Sequence, residues 1–217
     1  TYAATDPRVQ YDLNSQGTEG LGKLVYEGDR FGYDYNINVR RGQLWANYAE
    51  TFGKLHYMVA GKIAYDNMYR VGHMRNGMFA DNSAGKSKHA DFLTGGLKSN
   101  ATLTLGGGNT LSLGMGYEHR APNANAAFAA PEMNNDFILN LRNERVFSSE
   151  LSYQYAGSWL HANVSGYYNH MTNVTEWQNF YFDDVNSFTY VSMTNMKKNY
   201  YGIELGLDFK LTSFLNF

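Results

Sequence analysis

From Tyr201 to Leu211 every second residue is large and apolar: Tyr201, Ile203, Leu205, Leu207, Phe209 and Leu211. Gly202, Glu204, Gly206, Asp208 and Lys210 stand between them. A period of two sends these sets to opposite sides of a β-strand, one oily and one small or charged. The alternation recurs. Leu55, Tyr57, Val59, Gly61, Ile63 and Tyr65 interleave with His56, Met58, Ala60, Lys62, Ala64 and Asp66. Leu97, Ala101 and Leu103 oppose Lys98, Asn100 and Thr102, and Leu111, Leu113, Met115 and Tyr117 oppose Ser112, Gly114, Gly116 and Glu118. Phe147, Leu151, Tyr153 and Tyr155 oppose Ser148, Glu150, Ser152 and Gln154, while Leu160, Ala162, Val164 and Tyr168 oppose His161, Asn163, Ser165 and Asn169. No helical i, i+3, i+4 pattern is sustained, so an all-β fold is expected.

The connections decide what covers the oily faces. Short turn signals fall at residues 52–54, 106–109, 156–158 and 212–213. Between them lie polar segments at 70–90, 120–145 and 171–187. Such loops, about 17 to 26 residues long, are unusual in a compact soluble domain. Strict alternation of short turns with long loops is the pattern of a transmembrane β-barrel. The face opposite the oily one carries His56, Lys62, Asp66, Lys98, Glu118, Glu150, His161, Glu204, Asp208 and Lys210, which suits a wet lumen rather than a second core. Aromatics gather at strand ends, at Tyr65, Tyr69, Tyr117, Tyr153, Tyr155, Trp159, Tyr168 and Tyr201, as interfacial girdles require. A soluble β-sandwich is the competing reading; the loop alternation favours lipid.

Composition narrows the remaining classes. The 217 residues include no Cys, which excludes disulfide scaffolds and thiolate metal sites. A net charge of -2 without a Lys/Arg cluster argues against nucleic acid. No run approaches the ~18 apolar residues of a membrane helix. "TYAATDPRVQ" has neither a basic start nor an apolar run, so no secretory signal is expected, and either a mature chain begins there or this is a piece of something longer.

Residues 1–30 read as a polar lead-in or outer loop, and 31–217 as the barrel segment. Strands are expected near 31–51, 54–70, 90–106, 109–120, 145–155, 159–170 and 188–211, with a stub at 214–217. One strand is ambiguous: Phe31, Tyr33, Tyr35, Ile37 and Val39 share a parity that flips beyond Arg40–Arg41–Gly42, where Leu44, Ala46 and Tyr48 become the oily set. A bulge in one long strand preserves the loop alternation and is preferred to a hairpin. Seven strands and a stub do not make the even-numbered closed barrel usual for one bacterial chain, so an incomplete C-terminal-half segment is expected. The shared parity of Leu207, Phe209, Leu211, Leu215 and Phe217 supports the alternative that Phe217 is a true C-terminus.

"HRAPNANAAFAAPEMNND" (119–136), followed by "LRNERVFSSELSYQY" (141–155), resembles the barrel of TonB-dependent outer-membrane transporters. Arg120–Ala121–Pro122 matches the phrase that follows an upward strand in that family, and Leu141, Glu144 and Glu150 match the one opening the next strand down. "NMKKNYYGIELGLDF" (195–209) is similar to the family's Gly-x-Glu-Leu strand, and "MRNGMFADNSAGKS" (74–87) to a loop in its Bacteroides-like members. The resemblance implies a 22-stranded Gram-negative outer-membrane barrel, with this chain about a third of it. It also implies a plug domain of the same protein, absent here, a TonB-type energy-coupling protein acting through that plug, and an imported solute of unknown identity.

Soluble chemistry finds little support. "AGKS" (84–87) ends like a phosphate loop, but Ala80 stands where that loop needs glycine. The six His are scattered, so no metal site is expected, and no Gly-x-Ser-x-Gly elbow appears. No catalytic residue and no cofactor are expected. The expected function is the barrel wall and outer ligand-contacting loops of an energised importer; the alternative is a non-transporting barrel, an anchor, adhesin-like or lipid-active protein. Ligand contact is expected from the segment 170–188, where Trp177, Phe180, Tyr181 and Phe182 adjoin Glu176, Asp183 and Asp184, with Arg75 in a second loop. Aromatic faces beside polar groups suit sugars, ring systems or metal chelates. The same aromatics would equally serve as loop packing or an interfacial belt.

Overall fold

The computed structural model describes residues 33–75, 79–182, 187–212 and 215–216. These form seven long strands, β1 (Tyr35–Phe52), β2 (Leu55–Gly72), β4 (Ala90–Gly106), β5 (Asn109–Arg120), β6 (Glu144–Ala156), β7 (Leu160–Phe182) and β8 (Ser187–Thr212), and two short ones, β3 (Gly85–Lys86) and β9 (Leu215–Asn216). All pairings are antiparallel, in the spatial order β1-β2-β4-β5-β6-β7-β8-β9, with β3 against the upper end of β2. β1 and β9 are not paired with each other, so the sheet is open.

Tight turns at the lower end set the register. Gly107 and Gly108 hold φ of 60° and 80°, two left-handed residues whose twist matches that of the flanking strands. A Cβ on Gly108 would lie 2.2 Å from the Ala156 carbonyl oxygen, so only glycine closes this hairpin against its neighbour.

Residues directly opposite across a sheet share a face. Leu55, Leu103, Leu111, Tyr153, Val164 and Leu205 form one unbroken row, and Tyr57, Ala101, Leu113, Leu151, Gly166 and Ile203 the next. On the other face the matching row reads His56, Thr102, Ser112, Ser152, Ser165 and Glu204. Among the described residues nothing packs over the oily rows: Ile203 is 82% and Leu205 67% exposed. An apolar surface this continuous far exceeds the few hundred Å² that soluble monomers expose. The inner face is knitted by polar contacts, including Lys62 Nζ to Glu118 Oε1 (2.6 Å), Thr102 to Ser112 (2.9 Å) and Ser152 to Asn163 (3.0 Å).

An aromatic ring marks the upper limit of the oily band and measures the tilt. Tyr117 stands in the row of Gly61, four residues below Tyr65, and Tyr168 in the row of Met115, two below Tyr117; Tyr201 is level with Tyr168. The ring therefore steps down six residues across the five pairings from β2 to β8. With ~3.3 Å per residue and ~4.8 Å between strands, that slope corresponds to a strand tilt of ~40°, within the range of membrane-spanning barrel walls.

Two expectations are corrected. β1 is one strand, as preferred, but it contains no bulge: its register against β2 is continuous from Tyr35↔Gly72 to Phe52↔Leu55. Parity flips because the burying face changes. Tyr35, Ile37 and Val39 lie on the inner side, where Ile37 packs against the β5–β6 connection and Val39 stays exposed, whereas Leu44, Ala46 and Tyr48 lie outward in the oily band. The segment 171–187 is not a long loop. β7 runs to Phe182 and β8 starts at Ser187, with pairing down to Phe182↔Ser187. Irregularities between Met171 and Glu176, with Asn173 and Asn195 at φ near 60° (58° and 60°), interrupt the alternation and hid the strand. The 1–30 lead-in and Phe217 lie outside the described residues.

The small conventional core sits at the upper end of the inner face. Met68 and Phe92 project from β2 and β4 against Ala127 and Phe128 of the β5–β6 connection, with Ile37, Phe137 and Leu141 around them. Phe128 is fully buried and stacks on Phe137 at 4.5 Å, and the Ile138 amide donates to the Ala127 carbonyl. The connection is thus folded down onto the sheet.

Candidate functional site

Arg70 holds the upper connections in place. It lies on the inner side of β2, opposite Ile37, and is 1% exposed. Its Nε donates to the Pro131 carbonyl (2.7 Å) and one terminal nitrogen to the Ser83 carbonyl (2.7 Å) and Asn135 Oδ1 (2.6 Å). The guanidinium also sits over the Tyr35 ring at 5.0 Å. A guanidinium offers five donors in a fixed fork, so one side chain of β2 fixes both the β2–β4 and β5–β6 connections. Two further bonds join the connections directly: the Asn135 amide to the Asn82 carbonyl (2.8 Å) and Asn82 Nδ2 to Asp136 Oδ1 (2.8 Å).

Beside this folded connection a cleft of about 580 Å³ opens toward β7. Asn123, Asn125 and Ala126 form one wall, Arg120 and Glu144 the floor, and Thr175, Glu176 and Trp177 the other wall. Local bonding explains the shape. Asn123 Oδ1 accepts from the Asn125 amide (3.0 Å), starting the short 3-10 turn Ala124–Ala126. Arg120 and Glu144 are register partners at the facing ends of β5 and β6, and Arg120 Nε donates to Glu144 Oε2 (2.8 Å). Glu144, 3% exposed, uses its other oxygen to accept the Thr175 amide (3.1 Å), tying β7 to the floor. Lys198 of β8 pairs with Glu176.

Both carboxylates of the cleft are therefore neutralised by a cation, which lowers the cost of holding them away from water. Thr175 Oγ1 is buried without a hydrogen-bond partner among the described residues. The groups lining the cleft are the Trp177 indole, two carboxamides, Thr175 and the half-exposed Arg120 guanidinium. This is the chemistry of a polar organic solute with a flat face: stacking on Trp177 and hydrogen bonds from the amides. Among the described residues no three His, Asp or Glu side chains converge as a metal cage needs.

Of the expected contact residues, Trp177 lines the cleft. Phe180 and Tyr181 belong to β7, opposite Thr189 and Phe188. Asp183 and Asp184 lie outside the described residues. Arg75 stays within its own connection, bonded to the Ala80 carbonyl (2.7 Å) and Asp81 (3.2 Å), and is not a cleft residue. Arg120, Glu144 and Thr175 were not anticipated. Opposite charges closing the two ends of one long connection, Arg120 and Glu144, were the available signal.

No protein-family model and no curated protein sequence matches the chain. Among solved structures it is similar to the copper transporter OprC, with a TM-score of 0.62 and 17% identity over 82% of this chain. It spans 28% of that chain's length. The likeness is one of fold: an open antiparallel sheet that superposes on part of a barrel wall.

Proposed function

We propose that this chain is part of the wall and outer vestibule of a TonB-dependent outer-membrane importer. The observation that carries the reading is the exposed, continuous oily face, bounded by an aromatic ring on strands tilted ~40°. A wall of this kind cannot end in lipid with open edges, since each unpaired backbone group there costs several kcal/mol. The free edge of β1 therefore pairs with further strands of a larger barrel, consistent with the fraction of OprC that the chain covers. In this reading the short turns face the periplasm and the folded connections the exterior. A plug domain of the same protein closes the lumen and couples it to the energising partner. The chain supplies affinity and a path, and no catalysis.

The cleft of Arg120, Asn123, Thr175 and Trp177 is the vestibule contact for the solute, a polar organic molecule with a planar or ring portion. Copper belongs to the neighbour and is not transferred. The test uses the full chain in its native membrane. Single cysteines at Ala84 and Ala129, both in exposed connections, label on intact cells with an impermeant thiol reagent, and one at Ser158 does not. Solutes depleted from a defined medium only when the gene and the energy coupler are both intact identify the cargo. Labelling at all three positions, or depletion indifferent to the energy coupler, would overturn the reading.

A further inference from the structure

Above the aromatic ring, the outward face of β1, β2 and β3 carries a basic cluster that no inner-face function uses. Register places Arg40 opposite Asn67 and Lys86 opposite Val71, both on the oily side of the sheet. They converge on Tyr69. Arg40 donates to the Tyr69 hydroxyl (3.1 Å) and lies 5.4 Å from the ring centre; Lys86 Nζ lies 4.3 Å from that centre. His89 stacks on the ring at 4.6 Å. Tyr69 is thereby 7% exposed on an outward face, while Arg40, Lys86 and His89 remain exposed. Neither Arg40 nor Lys86 has a carboxylate partner among the described residues; Asp91, nearest in the row, is held by the Tyr65 hydroxyl and Asn67 (both 2.6 Å).

Height decides what meets this cluster. Arg40 and Tyr69 stand two and four residues above the Tyr65 row, ~5–10 Å above the oily band at ~3.3 Å per residue and the tilt found here. That is the level of lipid headgroups, outside a hydrocarbon core ~30 Å thick. We infer that Arg40, Lys86 and His89 on the Tyr69 platform form a binding site for the phosphate group of an anionic membrane lipid. The inference rests on the reading that the oily face meets lipid. Two cations without a carboxylate partner among the described residues, held over one ring, complement a phosphate, and their stems lie along apolar surface that acyl chains also contact.

The experiment uses the full chain purified in a neutral detergent, incubated with equal phosphatidylglycerol and phosphatidylcholine, with retained lipid quantified after washing. The protein retains phosphatidylglycerol preferentially, and Arg40→Gln with Lys86→Gln lowers that preference at least about tenfold. Lys98→Gln, on the inner face, leaves it unchanged. Excess inorganic phosphate does not displace the lipid. Equal retention of both lipids by the wild type, or an unaltered preference in a double variant that elutes as the wild type does, would overturn the site. Displacement by inorganic phosphate would reassign it to free anions and overturn the lipid claim. Failure to retain either lipid would instead refute the lipid-facing assignment itself.

Discussion

Replacing Arg70 by Met keeps most of the side-chain volume and removes every donor. Three acceptors lose a charged partner: Ser83 O, Pro131 O and Asn135 Oδ1. Hydrogen bonds to charged groups contribute ~1.5–3 kcal/mol each, and buried acceptors left unpaired cost a similar amount. The full sum would not register as lost barrel stability, because the connections can lift off and let water satisfy the carbonyls. Local opening should become easier by ~3–5 kcal/mol, which is two to four decades in an opening equilibrium at ~1.36 kcal/mol per decade. Amide exchange reports it directly. The Asn135 amide, bonded to Asn82, and the Ser87 amide, bonded to the Arg70 carbonyl, should exchange at least ~100-fold faster. Leu113, in the register between β4 and β6, should be unchanged. Arg70→Lys restores one bond at most and should fall in between. Exchange within threefold of wild type at both amides would show that the connections are held by something other than this guanidinium.

Gly72→Ala places a Cβ 1.9 Å from the Ser83 carbonyl oxygen, a backbone contact that cannot turn aside; the β2–β4 connection should lose protease resistance while the barrel still assembles. Leu205 lies midway between Tyr201 and Phe209 on the oily face, so Leu205→Arg should cost ~2–4 kcal/mol in urea unfolding of the membrane-embedded protein, whereas Glu204→Arg on the inner face should cost far less. Trp177→Ala with Tyr181→Ala should weaken solute binding at least tenfold, ~1.4 kcal/mol, with assembly unchanged; full uptake and affinity in an assembled double variant would remove β7 from the vestibule.

The long strands were legible because the two faces of the sheet differ in character, one oily and one polar. A one-residue slip would turn Ile203 and Leu205 into the lumen, so period and register are specified by the same pattern. β4 and β5 fall at the expected residues, 90–106 and 109–120. Above the band that constraint ends. β7 from Thr172 to Trp177 is partly or fully buried on both faces beside the folded β5–β6 connection, so no oily alternation marks it. Thr172, Val174, Thr175, Trp177 and Tyr181 are nonetheless β-branched or aromatic, and propensity alone would have extended the strand. Ile37 misled for the related reason that an apolar residue there packs inward under a connection. Trp177 was found from its aromatic character beside carboxylates. Arg120 with Glu144, and Arg70 with two remote connections, depend on partners 13 to 65 residues apart, which no local pattern encodes.

The central claim, that the odd-numbered face of β8 meets lipid and the even-numbered face water, is tested most directly by cysteine accessibility along that strand. Single cysteines at Gly202, Ile203, Glu204, Leu205, Gly206 and Leu207 are placed in the full chain, embedded in its native membrane, and treated with a small charged thiol reagent. Reactivity should alternate, with Glu204 and Gly206 labelling at least ~10-fold faster than Ile203, Leu205 and Leu207, since the reagent attacks thiolates that water can reach. Uniform labelling along the six positions, or faster reaction at the odd ones, would contradict it.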